Sequence, residues 1–384
     1  MRSKYKKLGP FIEEVNIRNK DLAVDLLLGV SIQKILIPSI ANTVGTDMSR
    51  YKVVKRNQFA YGPVTSRNGE KISIALLEDY NSAIISQSYK VFKIIDENLL
   101  NPEYLMMWFR RPEFDRYARF MSHGSTRETF DWSELCETEL PVPSIEKQRE
   151  IVTEYNVVKD RIALNEQLNQ KLEETAKALY KNLVNENPCK EYLLKDLCSF
   201  QEGYVNPSQK YPDYFDGNIK WLRANDVNGG FILNTSRTLT EKGFESAGTS
   251  ALLFAPQTIV ITKSGTIGRL GILGDYMCGN RAVINIKPKE DYNLTFIFFF
   301  LKCNYDELID LAVGSAQRNL YVPILATMKI QVPDKNKLTS FYLVTKSILN
   351  SMQLQTKENQ TLTSLQSGLL SKMSTTEVEK LVTN

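Results

Sequence analysis

A seven-residue hydrophobic period occurs twice in this chain, and a single shift of 190 residues carries the first copy onto the second. Between Ser144 and Asn185, Ile151, Val158, Leu172 and Leu179 keep the period, and Tyr155, Ile162, Ala176 and Leu183 form a companion row four residues on. Two such apolar rows make a helical seam that needs a partner helix. Asn165 and Asn169 interrupt it. The shift moves Ile151 to Phe341, Val158 to Ile348, Leu172 to Leu362 and Leu179 to Leu369, and in the companion row Ile162 to Met352 and Leu183 to Met373. The polar break returns as Gln355 and Asn359, Gly124-Ser125 as Gly314-Ser315, and Pro143 as Pro333. One offset that aligns a loop, a proline and a long helix marks a tandem duplication.

The duplication sets the expected architecture. The fold class is α+β: two β-rich domains with short helices, joined by two long helices that pair as an antiparallel coiled coil. The expected boundaries are a first domain at 1–143, a helix at 144–185, a second domain at 186–335, and a helix with its tail at 336–384. Lys71–Leu77, Ala83–Ile95, Ala251–Ile261, Arg269–Leu273 and Ala282–Ile286 read as strands, being rich in β-branched residues and bounded by turn formers. Pro102–Tyr117, with Asn101 as its cap, and Leu294–Ala312 read as shorter helices. An unpartnered seam would sit in water, so the two long helices are expected to pack on each other. At 1.5 Å per residue each spans roughly 60 Å, which would hold the domains at opposite ends. The seam residues would then be Ile151, Val158, Ile162, Leu172, Leu179, Ile348, Leu362 and Leu369. Asn165, Asn169, Gln355 and Asn359 would meet in the middle and fix the register.

Several function classes are excluded by what is missing. The chain has 42% apolar and 24% charged residues, and its longest apolar stretch, around Phe296–Leu301, is too short to cross a bilayer. The five cysteines show no C-x-x-C spacing, and His123 is the only histidine, so free thiols in a reducing cytoplasm are expected and a zinc site is not. No dinucleotide or P-loop signature is present. Lys263–Gly268 lacks the lysine that a phosphate loop carries after its second glycine. Asn101–Tyr104 resembles an Asn-Pro-Pro-Tyr methyltransferase motif, but a capped helix start accounts for it. The chain is expected not to be an enzyme.

What remains is suited to nucleic acid. Residues 31–71 hold Lys34, Arg50, Lys52, Lys55, Arg56, Arg67 and Lys71 against Asp47 and Glu70. Residues 262–289 hold Lys263, Arg269, Arg281, Lys287 and Lys289 against Asp275 alone. Local basic patches suit contacts to phosphates over limited surfaces. Two loops equivalent under the repeat, His123–Arg127 and Gly314–Asn319, combine glycine with hydroxyl, amide and guanidinium groups. Glycine admits close backbone approach, and Arg, Gln or Asn can read base edges. The candidate contacts are Ser125, Thr126, Arg127, Gln317, Arg318 and Asn319 here. Lys263, Ser264, Thr266 and Arg269 come from a second loop, Arg281 from a third, and Lys34, Arg67 and Asn68 from the first domain.

This organisation resembles the specificity (S) subunit of type I restriction-modification systems over essentially the whole chain. The long helices, the lead-in Leu140–Val152 (LPVPSIEKQREIV) and the two Gly-Ser loops carry the resemblance. Trp221–Asp226, with Arg223 and Asn225, and Thr262–Gly268 are similar to segments of target recognition domains. Tyr61–Lys71, their counterpart in the first domain, lacks the Ser-Gly-Thr-Ile-Gly string. The resemblance implies a non-catalytic subunit that reads a bipartite site on double-stranded DNA. It implies two methyltransferase (M) subunits using S-adenosylmethionine and two restriction (R) subunits using ATP and Mg, with no cofactor in this chain, no membrane and a cytoplasmic location. A stand-alone DNA-binding regulator and a fragment of a fused restriction–methylation enzyme are the other readings.

Overall fold

The computed structural model describes residues 5–39, 45–66, 69, 71–124, 128–289, 292–314 and 318–374. The chain separates into two compact units, Met1–Arg161 with Leu362–Asn384, and Ile162–Thr361. The boundaries between them fall inside both long helices, which run over Ile145–Asn185 and Lys335–Lys372. Each helix therefore contributes one part to each unit.

In the first unit a four-stranded sheet has the order Ile12–Val15, Lys90–Ile94, Phe59–Gly62, Ser73–Leu76. All its pairings are antiparallel. Phe59 and Phe92 stack across it at 4.7 Å, and Phe109 meets both edge-on. The expected strand Ala83–Ile95 is instead two strands, Ser82–Ile85 and Lys90–Ile94, in different sheets. The cause is a turn in which Tyr89 N bonds Ser86 O, which sequence patterning overlooked.

The expected helix Pro102–Tyr117 is likewise two, Pro102–Arg110 and Pro112–Phe120. Pro112 lacks an N–H and pushes Arg111 into extended backbone, ψ 137°, which ends the first helix. Asn101 caps that helix as expected, its Oδ1 accepting from Tyr104 N at 2.9 Å.

The second unit repeats this plan. A five-stranded sheet has the order Cys198–Glu202, Val283–Pro288, Ile259–Thr262, Leu270–Leu273, Phe231–Ile232, and a separate four-stranded sheet has the order Thr238–Leu239, Phe215–Leu222, Met277–Gly279, Leu253–Phe254. The expected strand Ala251–Ile261 splits between these sheets, as Leu253–Phe254 and Ile259–Thr262. The expected helix Leu294–Ala312 breaks at Asn304, whose amide donates to Phe300 O and so competes for a helical acceptor. Asn293 caps this helix through Phe296 N, 2.7 Å.

Both long helices start on a residue that bonds the free N–H groups of the first turn. Ser144 Oγ accepts from Lys147 N, and Asp334 Oδ1 accepts from Asn336 N and Lys337 N. These caps stand 190 residues apart. In the second unit Ala176, Tyr180 and Leu183, late in the first helix, share a core with Leu338, Phe341, Leu349 and Met352, early in the second. In the first unit Ile151, Val152 and Tyr155, early in the first helix, share a core with Met373, just past the end of the second. Late with early and early with late is antiparallel pairing.

The predicted seam is only partly the buried one. Ile151 and Val158 are buried, whereas Ile162, Leu172, Leu179, Ile348, Leu362 and Leu369 are half-buried. The companion row is buried at Tyr155, Ala176, Leu183, Met352 and Met373, and at Thr345, the counterpart of Tyr155; Tyr180 and Leu349, outside the predicted rows, take further deep positions. Midway, Asn165 Nδ2 donates to Asn359 Oδ1 at 2.8 Å and to Glu358 Oε2 at 3.0 Å. Asn169 Oδ1 and Gln355 Oε1 are buried with no hydrogen-bond partner.

Candidate functional site

In the second unit, four of the candidate segments are tied together through their backbones. The strand Ile259–Thr262 runs into a loop that closes on itself at Thr262. Thr262 N bonds Arg269 O at 2.9 Å, Gly268 N bonds Thr262 O at 3.0 Å, and Thr262 Oγ1 accepts from Arg269 N while donating to Thr266 O. Gly265 and Gly268 adopt φ of 74° and 82°, a left-handed conformation that favours glycine. Lys263 N then bonds Ala282 O at 2.8 Å, which joins the Asn280-Arg281 loop. Lys263 O accepts from Leu320 N at 2.9 Å, which joins the Gly314–Asn319 loop. Asn280 N bonds Leu222 O at 3.0 Å, which joins the Trp221–Asp226 segment.

On this connected set, Thr266, Arg269, Arg281 and Asn225 are exposed, and Ser264 and Asn319 are half-buried. Lys263 is less free. Its ammonium pairs with Glu202 Oε1 at 3.0 Å. Burial works to raise the Glu202 carboxyl, but bonds from Tyr204 and Lys263 more than offset it and hold the group below its usual range. Arg223 donates to Ser236 Oγ at 2.7 Å and lies over the Trp221 ring at 5.4 Å. Asp226 anchors the turn beneath it by accepting from Arg223 N and Ser236 N.

Arg318 departs most from its expected role. Its guanidinium donates to Ile309 O at 2.7 Å and Ala312 O at 2.9 Å, capping the helix Tyr305–Asp310 that precedes the loop. Its Nε and Nη2 donors are thus engaged within the fold, although the residue is exposed. Gln317 lies outside the described residues.

The first unit has the matching pair of loops. Phe130 N bonds Pro63 O at 2.8 Å, as Leu320 N bonds Lys263 O. Thr65 N bonds Glu128 O, and Thr65 Oγ1 donates to Ser122 Oγ at 3.0 Å. The Gly-Ser loops are closed in the same way, by reciprocal bonds between His123 and Thr129 and between Val313 and Asn319. Gly124 and Gly314 have φ of 133° and 126°. Arg67, Asn68, Ser125, Thr126 and Arg127 lie outside the described residues.

Lys34 is a correction. It is 4% exposed, not a surface cation. Its ammonium pairs with Asp115 Oδ1 at 2.8 Å and donates to Phe109 O. Burial lowers its pKa despite that pairing. Lys52 is buried as well, so the basic count over residues 31–71 overstates the charge offered to solvent. Glu202, Asp115 and Ser236, which hold the candidate cations, were invisible to sequence spacing because each acts across a large separation in the chain. Asp226 alone had a local signal, its place three residues after Arg223.

Among the described residues, no group of His, Cys, Asp and Glu could hold a metal ion, and no helix is long and apolar enough to cross a membrane. The five cysteines are free thiols, and burial pushes Cys198 and Cys278 up to about 12.

A family model described as the type I restriction modification DNA specificity domain matches residues 37–174 and 187–366. The HindI type I restriction enzyme specificity subunit of Haemophilus influenzae is 20% identical over 426 residues, covering 90% of this chain and 92% of that one. The MjaIX specificity subunit of Methanocaldococcus jannaschii is 22% identical over 305 residues, covering 73% and 70%. The crystal structure of a type I S subunit from M. genitalium superposes with a TM-score of 0.57 at 14% identity, covering 96% and 95%, a likeness of fold.

Proposed function

This chain belongs to the type I restriction modification DNA specificity family, and on that premise we propose that it reads a bipartite DNA target, one half-site per domain. The observation that carries the reading is the backbone linkage through Lys263 and Asn280, which joins separate loops bearing Arg269, Arg281 and Asn225. A linked set of loops keeps its donors in fixed relative positions, which base-edge readout requires. The equivalent loop pair in the first domain supports a second, independent reading of the same kind.

The paired helices act as a ruler that sets the unread gap between half-sites. Two methyltransferase subunits dock on this chain and supply S-adenosylmethionine chemistry on a flipped adenine. Two restriction subunits add ATP- and Mg-dependent translocation and cleavage. The chain itself holds no cofactor, and it works in the cytoplasm as address and scaffold.

Methylome sequencing of the host with and without this chain tests the reading. The expected result is loss of one split motif of fixed gap when the chain is absent. An unchanged methylome, with the chain purifying free of any methyltransferase and binding one site tightly, would instead identify a stand-alone regulator.

A further inference from the structure

Phe120 ends the helix Pro112–Phe120 with 82% of its surface exposed, the most of any large apolar residue among those described. The fold does not use it. Phe114 and Ala118 are the buried residues of that helix, and Phe120 lies well away from their stripe at 100° per residue. At the equivalent place in the second domain stands Asp310, also exposed, so the architecture does not demand an aromatic there.

Its position relates it to the candidate loops. Two residues later, Ser122 accepts the hydroxyl bond from Thr65, where the two loops of the first domain meet. One turn back on its own face is Arg116, an exposed cation paired with Glu113 at 3.2 Å. A single aromatic among polar neighbours is too small to be a protein-docking patch. It is sufficient for insertion between base pairs, where one apolar side chain unstacks a step and bends the duplex.

We propose that Phe120 is a DNA wedge: it inserts at a base step in the half-site read by the first domain, so that this half-site alone is unstacked. The proposal rests on the DNA-reading function above and specifies how one of its two domains performs it.

The test uses the full-length chain, Phe120→Ala and Phe120→Trp, with duplexes selected by the wild type from a random pool and carrying 2-aminopurine at successive positions. Wild type is expected to raise fluorescence at a step in one half-site and not in the other. Phe120→Ala should lose that signal and bind about tenfold more weakly, the scale of one aromatic–base stack. Phe120→Trp should keep both, and thermal unfolding should be unchanged because the side chain is exposed. Equal fluorescence and affinity for wild type and Phe120→Ala would overturn the wedge alone. Weaker binding by Phe120→Ala without any unstacked step in wild type would also overturn it, assigning the residue to a contact on the duplex surface without insertion. Failure of wild type to select any sequence would overturn the underlying reading, and the wedge with it.

Discussion

The two domains hold their candidate loops in the same places by different chemistry. Three pairs of positions 190 residues apart make the contrast. Asp115 accepts from Ile72 N at the end of the first domain's loop, whereas Tyr305 packs under Gly268 and donates to Ile267 O at 3.4 Å. Glu128 pairs with Arg119 of the preceding helix, whereas Arg318 bonds that helix's last carbonyls. Gln148, fully buried, bonds Leu99 O, Pro143 O and Asn101 N, whereas Leu338 is simply part of an apolar core. The loop geometry was retained after duplication while each support was exchanged for another. The backbone bonds, which do not depend on side-chain identity, are what the two copies share.

The contrast breaks most severely at the first domain's buried pair of Lys34 with Asp115, where the second domain's counterpart of Asp115 is Tyr305. Asp115→Asn keeps the shape and leaves the Lys34 ammonium buried without its counter-charge, a loss of about 3–5 kcal/mol. Burial already holds Lys34 below the ordinary value of 10.5. A lowered lysine contributes stability above 10.5 and loses it as pH falls through its folded value. Wild-type stability should therefore rise with pH on the alkaline side, up to 10.5, and the variant should show a steeper rise that begins closer to neutrality. Urea midpoints measured across that range check this; parallel curves for the two proteins would mean Lys34 is not charged in the fold.

Next in size is Gln148→Leu, which gives the first domain the second domain's residue. Three backbone groups lose their partner, for roughly 3 kcal/mol in total at about 1 kcal/mol or more each. The reciprocal Leu338→Gln buries an amide with no evident partner and should cost about 2 kcal/mol. If either swap proves neutral in chemical denaturation, the two sites are interchangeable and the contrast drawn here is superficial.

Gly268→Ala acts on the second domain only. A Cβ there would stand 2.9 Å from the Tyr305 and Ile309 side chains, at a φ of 82°. Strain of this kind costs about 1–3 kcal/mol. Methylation motifs should blur in one half-site and keep the other intact. Blurring of both would show that the loop supports assembly of the complex and not base reading.

How far this was legible beforehand depended on the range of each interaction. The repeat, the long helices and the Asn101 cap are local patterns, and the spacing of Ile151, Val158 and their counterparts revealed them directly. The broken helices were missed because Pro112 was read inside an amphipathic pattern, and Asn304 competes for a carbonyl in a way composition does not signal. The deep positions at Tyr180 and Leu349 lie off the heptad rows, because a helix packed in a domain core buries a wider stripe than a two-row seam. At the site, spacing nominated the loops, but it could not tell a free cation from a committed one. Lys34, Lys263 and Arg318 all find partners that lie in other elements of the fold.

Arg318 gives the smallest effect and the finest distinction. Read as a base contact, Arg318→Ala should relax specificity at one half-site with stability unchanged. The geometry gives its guanidinium to Ile309 O and Ala312 O, so removing it uncaps a short helix and costs about 1 kcal/mol. The expected outcome is a small fall in the unfolding midpoint and a modest, sequence-independent weakening at that half-site, because the loop is displaced while its reading groups remain. Arg318→Lys retains the charge but not the fork of donors that reaches two carbonyls, so it should behave like the alanine. Rescue by lysine, or relaxed base choice at unchanged stability, would return Arg318 to the DNA and remove one of the three differences between the domains.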